Sequence, residues 1–198
     1  MICDLRGATV EATAAYPKTA DARRVVRHFV MVADQTVIVL DDILPAGNAK
    51  GEIPAQWQAH YPAMAEGGRA VITGDAASLH IRPHGPDVSF AIEGPRDFGR
   101  SWVYRRWQQN NWVQWHSIRG IYVADPARPL VTVLSVTDRD APLPPAEVAH
   151  APGRITVTVG DPRLLFTATE AGWRLERYTA TGRRPDSVAS WLGWQTGR

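Results

Sequence analysis

Hydrophobic and polar residues alternate with period two along most of the chain. The alternating runs carry β-branched and aromatic side chains, the pattern of strands with one face buried. Residues 9–15 alternate in this way and are stopped by Tyr16-Pro17. Residues 24–33 put Val26, His28, Val30 and Val32 on one face, and Asp34-Gln35 offers a two-residue turn into the unbroken apolar run TVIVL at 36–40. These two runs predict the most secure hairpin in the chain. Asp41-Asp42 closes the second run, before a loop containing Pro45, Gly47, Asn48 and Gly51. A turn-capping role for Asp41-Asp42 is preferred to a carboxylate pair for acid–base work, because Asp side chains readily hydrogen-bond nearby backbone in turns.

Further strands are predicted at 56–61, 70–73, 78–82, 87–92, 120–124, 130–136, 155–159, 164–168 and 173–178, with a turn at Gly74-Asp75. The aromatic stretch 101–118 is read as two strands turning near Asn110-Asn111. Residues 137–153, with Pro142, Pro144, Pro145 and Pro152, read as a long connection with no strand pattern. Only residues 186–195 have helical potential, and there Val188, Trp191, Leu192 and Trp194 are equally able to dock on a sheet. About a dozen closely spaced strands with no convincing helix before residue 180 predict an all-β fold, an antiparallel β-sandwich. The sandwich is assigned to residues 1–180 and a C-terminal tail to 181–198.

Composition narrows the function classes. At 198 residues, with 44% hydrophobic and 21% charged positions, the chain has enough apolar material for a sizeable core. A formal charge of +2 gives no global field for nucleic acid. No segment approaches the roughly 20 apolar residues of a membrane helix. With a single cysteine, Cys3, neither an internal disulfide nor a cysteine-based metal site can form. Of the 22 basic residues only Lys18 and Lys50 are lysines, leaving 20 arginines. Guanidinium groups suit carboxylate and sulfate, yet a GC-rich genome accounts for the bias without any site. The N-terminus shows no apolar signal-peptide core, and localisation is left open.

The most distinctive stretch is WVYRRWQQNNWVQWH, residues 102–116. Flat rings stack on the apolar faces of sugars, and arginine pairs with uronate or sulfate. In strand geometry Trp102 and Tyr104 share one face, Arg105 and Trp107 the other. Core packing of these rings ranks ahead of sugar binding, because large aromatics are mostly buried. The candidate substrate-binding residues are His60, Trp102, Tyr104, Arg105, Trp107, Trp112, Trp115 and His116. His80 and His84 stand four apart, a spacing that separates strand side chains by roughly 13 Å and argues against a shared metal. No serine, cysteine or phosphate-loop motif stands out.

Residues 14–43, AAYPKTADARRVVRHFVMVADQTVIVLDDI, resemble the C-terminal β-domain of heparinase II/III-like polysaccharide lyases. The matching features are Tyr16-Pro17, an arginine on the following strand (Arg27) and a hairpin ending in VIVLDD at 37–42. Trp57 and His60 fit a W-x-x-H strand, and RPLVTVLSV at 128–136 with Pro142 to Pro145 fits the family's end. The resemblance implies a β-domain that follows a helical toroid and acts on acidic polysaccharides such as glycosaminoglycans or alginate by β-elimination. It also implies a bacterial setting, often periplasmic or secreted. The family's zinc-binding H-x-H, Asp-Gly and His-Asn patterns do not occur, so no catalytic or metal residue is carried over and no cofactor is expected. Uronate elimination needs a base at the C5 proton and a group that neutralises the neighbouring carboxylate. The chain is therefore expected to support or bind an acidic polysaccharide beside a missing toroid domain or another chain. The alternative is a free-standing carbohydrate-binding or interaction module.

Overall fold

The computed structural model describes residues 6–15, 22–33, 35–45, 52–59, 61–66, 68–85, 89–97, 114–123, 125, 128–170, 172–179 and 187–192. These residues form strands almost throughout, in three antiparallel sheets, as the period-two pattern predicts. In chain order the strands are β1 (Arg6–Glu11), β2 (Ala22–Ala33), β3 (Thr36–Pro45), β4 (Glu52–Ala59), β5 (Ala63–Glu66), β6 (Arg69–Thr73), β7 (Ala77–His84), β8 (Ser89–Asp97), β9 (Gln114–Val123), β10 (Leu130–Asp138), β11 (Ala146–Ala151), β12 (Arg154–Val159), β13 (Arg163–Thr169), β14 (Gly172–Tyr178) and β15 (Ser187–Leu192). A 3₁₀ turn, Thr13–Ala15, follows β1.

A seven-stranded sheet, ordered β1-β2-β3-β10-β7-β6-β5, is the middle layer. A five-stranded meander, β11-β12-β13-β14-β15, covers one face, and a three-stranded sheet, β4-β9-β8, covers part of the other. The main core lies between the first two sheets. Val30, Val32, Ile38, Leu40, Val131 and Val133 meet Ile155, Val157, Leu164, Phe166, Trp173 and Leu175 there. On the opposite face Ala70, Ile81, Leu79 and Leu134 pack against Ile118, Trp57 and Phe90.

This layering explains why TVIVL and LVTV carry no polar alternation. Both lie in the centre of the middle sheet, where each side of the strand is covered, and four consecutive positions are buried in β3 and again in β10. The meander has one covered face and alternates accordingly, as the patterns of β12 and β14 show.

Three expectations are corrected. Asp41 and Asp42 sit inside β3, not at its end, because each finds an arginine on β2. Residues 146–151 form strand β11 within the stretch read as a connection. Its inward positions include Ala146 and His150, too weakly apolar to announce a strand, while Val148 packs on the core. For residues 187–192, where helix and docking on a sheet were both open, the second holds: β15 pairs with β14 from Arg177↔Ser187 to Gly172↔Leu192. The sheet therefore continues beyond residue 180. The region near 114–124 is also simpler than expected, one strand in place of two.

Candidate functional site

Two polar clusters are built into the middle sheet. The first belongs to the β2–β3 hairpin. Its register sets Arg27 directly across from Asp41, and Arg24 diagonally from Asp42. Arg27 donates from Nε to Asp41 Oδ1 at 2.6 Å and from Nη2 to Oδ2 at 3.2 Å, a two-pronged pair. Arg24 Nη2 reaches Asp42 Oδ2 at 3.1 Å. Burial pushes the Asp41 carboxyl up from the ordinary aspartate value, and the Arg27 guanidinium opposes that shift. His28 is buried on the same strand, with Nδ1 2.9 Å from Thr9 Oγ1. Desolvation lowers its pKa, against the pull of Asp42. This cluster ties strands together, with the Asp41 carboxylate itself buried beneath its arginine. The Arg and Asp-Asp motif of the sequence is thus a cross-strand lock.

The second cluster lies where the end of β7 meets the edge strand β11. An open cleft of about 430 Å³ is lined by Pro83, His84, Gly85, Arg128, Val148 and His150. Arg82 holds the two sheets together beside it. Its Nη1 donates to the Pro144 carbonyl at 2.9 Å and its Nη2 to Ser135 Oγ at 3.2 Å, tying β7 to the connection that leads into β11. Gly85 packs closely on Leu130 at this end: a Cβ there would stand 2.8 Å from Leu130 Cδ1, so the leucine side chain would have to shift. His84 Nε2 and both ring nitrogens of His150 are shut off from solvent, and the His84 main chain hydrogen-bonds the His150 ring. Desolvation lowers the pKa of both imidazoles. Arg82 and His150 add to the effect at His84, while at His150 the His84 main chain opposes it and Arg128 adds to it. Among the described residues the lining has one cation, two imidazoles and no carboxylate. Among the described residues no group of three or more metal-ligating side chains occurs.

The sequence candidates fall elsewhere. His60, Trp102, Tyr104, Arg105, Trp107 and Trp112 lie outside the described residues. Trp115 and His116 are described as backbone only. They lie on β9, opposite Arg96 of β8 and Ala59 of β4 respectively. Trp57 is half-buried and packs against Phe90 with ring centroids 6.1 Å apart, a core role. His80 and His84 do not meet at one centre: His80 Nε2 lies 3.1 Å from Thr137 Oγ1, while His84 faces the cleft. Arg128 and His150 were not singled out by sequence. The available signal was the alternation of Ala146, Val148 and His150, which places the imidazole on the same inward face as the core valine.

No family model matches the chain, and no curated protein matches it. Solved structures do match. A heparan sulfate lyase HepC mutant from Pedobacter heparinus superposes with a TM-score of 0.57 at 18% identity, covering 82% of this chain and 26% of that one. The heparinase III BT4657 gene product superposes with a TM-score of 0.55 at 12% identity, covering 88% of this chain and 26% of its own. Its form with methylated lysines gives the same TM-score and identity. The chain thus has a heparinase-like fold and spans about a quarter of the length of these enzymes. At such identities the likeness is one of fold.

Proposed function

We propose that this chain is the β-domain portion of a heparinase II/III-like polysaccharide lyase, that it binds or supports an acidic polysaccharide, and that it does not catalyse elimination alone. The observation that carries this reading is the superposition of more than four-fifths of the chain on about a quarter of two heparinases. The cleft of His84, Arg128 and His150, with an exposed guanidinium and no carboxylate among its described residues, is compatible with an acidic ligand. In this reading the segment 102–116 supplies rings and guanidinium groups for a saccharide, with Trp102, Tyr104, Arg105, Trp107, Trp112, Trp115 and His116 as candidate contacts, and His60 a further candidate.

A second body, a toroid domain or another chain, has an apolar surface to meet. Met31 on β2 and Val136 on β10 are 39% and 40% exposed, with the half-buried Val37 of β3 opposite Met31. Neither nucleic acid nor a membrane is part of the proposal.

Incubated with heparin, heparan sulfate or alginate, the chain is expected to form no unsaturated uronate by ultraviolet absorbance. It is expected to be retarded in native gels containing the same glycans. Sustained product formation would overturn the non-catalytic role, and unretarded migration in every acidic glycan would overturn the binding role.

A further inference from the structure

The five-stranded meander turns one face to the core and the other to solvent. Along β12, β13 and β14 the residues between the buried ones point outward, and among them are Arg154, Arg163, Arg174, Glu176 and Tyr178. The register sets Arg163 directly opposite Tyr178, and it aligns Arg154, Thr167 and Arg174 in one row across the three strands. The Arg163 guanidinium carbon stands 4.8 Å from the centre of the Tyr178 ring. The Tyr178 hydroxyl donates to Glu176 Oε2 at 2.9 Å, and Arg174 Nη2 donates to Glu176 Oε1 at 2.9 Å. One connected run, Arg163–Tyr178–Glu176–Arg174, thus orders four side chains on a surface where long side chains otherwise keep most of their rotamer freedom. The bond to Glu176 raises the Tyr178 pKa, and Arg163 and Arg154 oppose the rise, so both cations stand near enough to act on that hydroxyl.

We infer that the outward face of the meander binds an acidic saccharide, with Arg154 and Arg163 pairing its carboxylate or sulfate and the Tyr178 ring holding Arg163 in place. The inference deepens the acidic-glycan reading and rests on it for the nature of the ligand. Arg154 and Arg163 are exposed, so their N–H donors are open to a ligand, and a guanidinium lying on a ring keeps its N–H edge for a two-pronged pair. The side chains that the run has already ordered lose less freedom on binding. The Tyr178 oxygen, having donated its proton to Glu176, can still accept from a sugar hydroxyl. Charge favours the same ligand. Among the described outward positions of β11–β14, three arginines face two glutamates, Glu147 and Glu176, and Arg174 already pairs with Glu176. Asp161 and Glu170 lie in the turns at the margins of the face.

The test is calorimetric titration of the whole chain with a heparin-derived hexasaccharide, with backbone amide signals followed by NMR. In wild type the shifted amides are expected to cluster on β12–β14. Arg154→Gln/Arg163→Gln, at exposed positions, is expected to bind about tenfold or more weakly, the usual effect of losing hydrogen bonds to a charged group. Tyr178→Leu removes no charge and is expected to weaken binding about two- to fivefold, the value of a cation–π contact at an exposed site. Arg128→Gln, which removes an exposed guanidinium elsewhere, is expected to bind as wild type does.

Full affinity in the double variant, or an equal loss in Arg128→Gln, overturns the meander site while leaving acidic-glycan binding standing. Shifted amides confined to other strands do the same. Full affinity in Tyr178→Leu overturns the part given to the ring. No binding by the wild-type chain overturns the site and the binding role together.

Discussion

Removing Arg27 leaves the Asp41 carboxylate dry and alone. The Asp41 side chain is 1% exposed and its partner 28% exposed, so the two halves of the pair are not equivalent. Arg27→Gln strands a charge that water cannot reach, and loss of one partner of a buried ion pair costs about 3–5 kcal/mol. Asp41→Asn removes the dry charge and leaves a partly wetted guanidinium, for which about 1–3 kcal/mol is the appropriate range. In a domain of this size that corresponds to a fall in melting temperature on the order of 6–20 °C for Arg27→Gln. The pH dependence separates this mechanism from lost packing. Burial raises the Asp41 pKa above its unfolded value of 3.8, and Arg27 opposes the rise. Without Arg27 only the rise remains. The deficit is therefore fully present at neutral pH and is relieved as pH falls through the raised folded value. The double variant Arg27→Met/Asp41→Leu is expected to recover most of the stability, because replacing both members of a buried pair is often neutral. Urea denaturation of the four proteins at several pH values measures all of this. The reasoning is refuted if Arg27→Gln costs no more than Asp41→Asn, or if its deficit grows on acidification.

Other outcomes follow from the same structure. His28, His80, His84 and His150 all have burial-lowered pKa values, so wild-type stability is complete above their ordinary value of 6.5 and declines as pH drops below it toward the folded values. Denaturation midpoints that stay flat or rise between about pH 7 and pH 5 would contradict this. Gly153 turns β11 into β12 at φ +65°, and a Cβ there would meet only Ala168 at an ordinary 3.8 Å; Gly153→Ala should thus cost about 1–2 kcal/mol from backbone strain alone, read by thermal unfolding. Phe166 is wholly buried between the two large sheets, and Phe166→Ala is expected to destabilise by about 3–5 kcal/mol in the same assay.

The sequence made the fold class legible because strand alternation is a local signal. TVIVL and LVTV, nearly unbroken apolar runs, lie in the middle sheet, where both faces are covered. Long-range contacts were not legible. The pairing of Asp41 with Arg27 depends on hairpin register, and nothing in the order of residues distinguishes a capping Asp-Asp from one locked across strands. Strand β15 was obscured because Val188, Trp191 and Leu192 also fit a helical spacing, and only the edge of β14 decides between the two. The cleft was hidden for a related reason. His84 and His150 are 66 positions apart in sequence and meet only because the meander's edge strand folds over the end of β7. The aromatic stretch at 102–116 drew attention by composition, which cannot tell a binding face from a core.

The most direct measurement is calorimetric titration of the full chain with a heparan sulfate oligosaccharide and with a neutral oligosaccharide of equal length. Saturable binding of the acidic one, weakening as salt is raised, with no heat from the neutral one, is the expected result. Equal affinity for both, or no binding to either, would contradict a role in acidic-polysaccharide recognition.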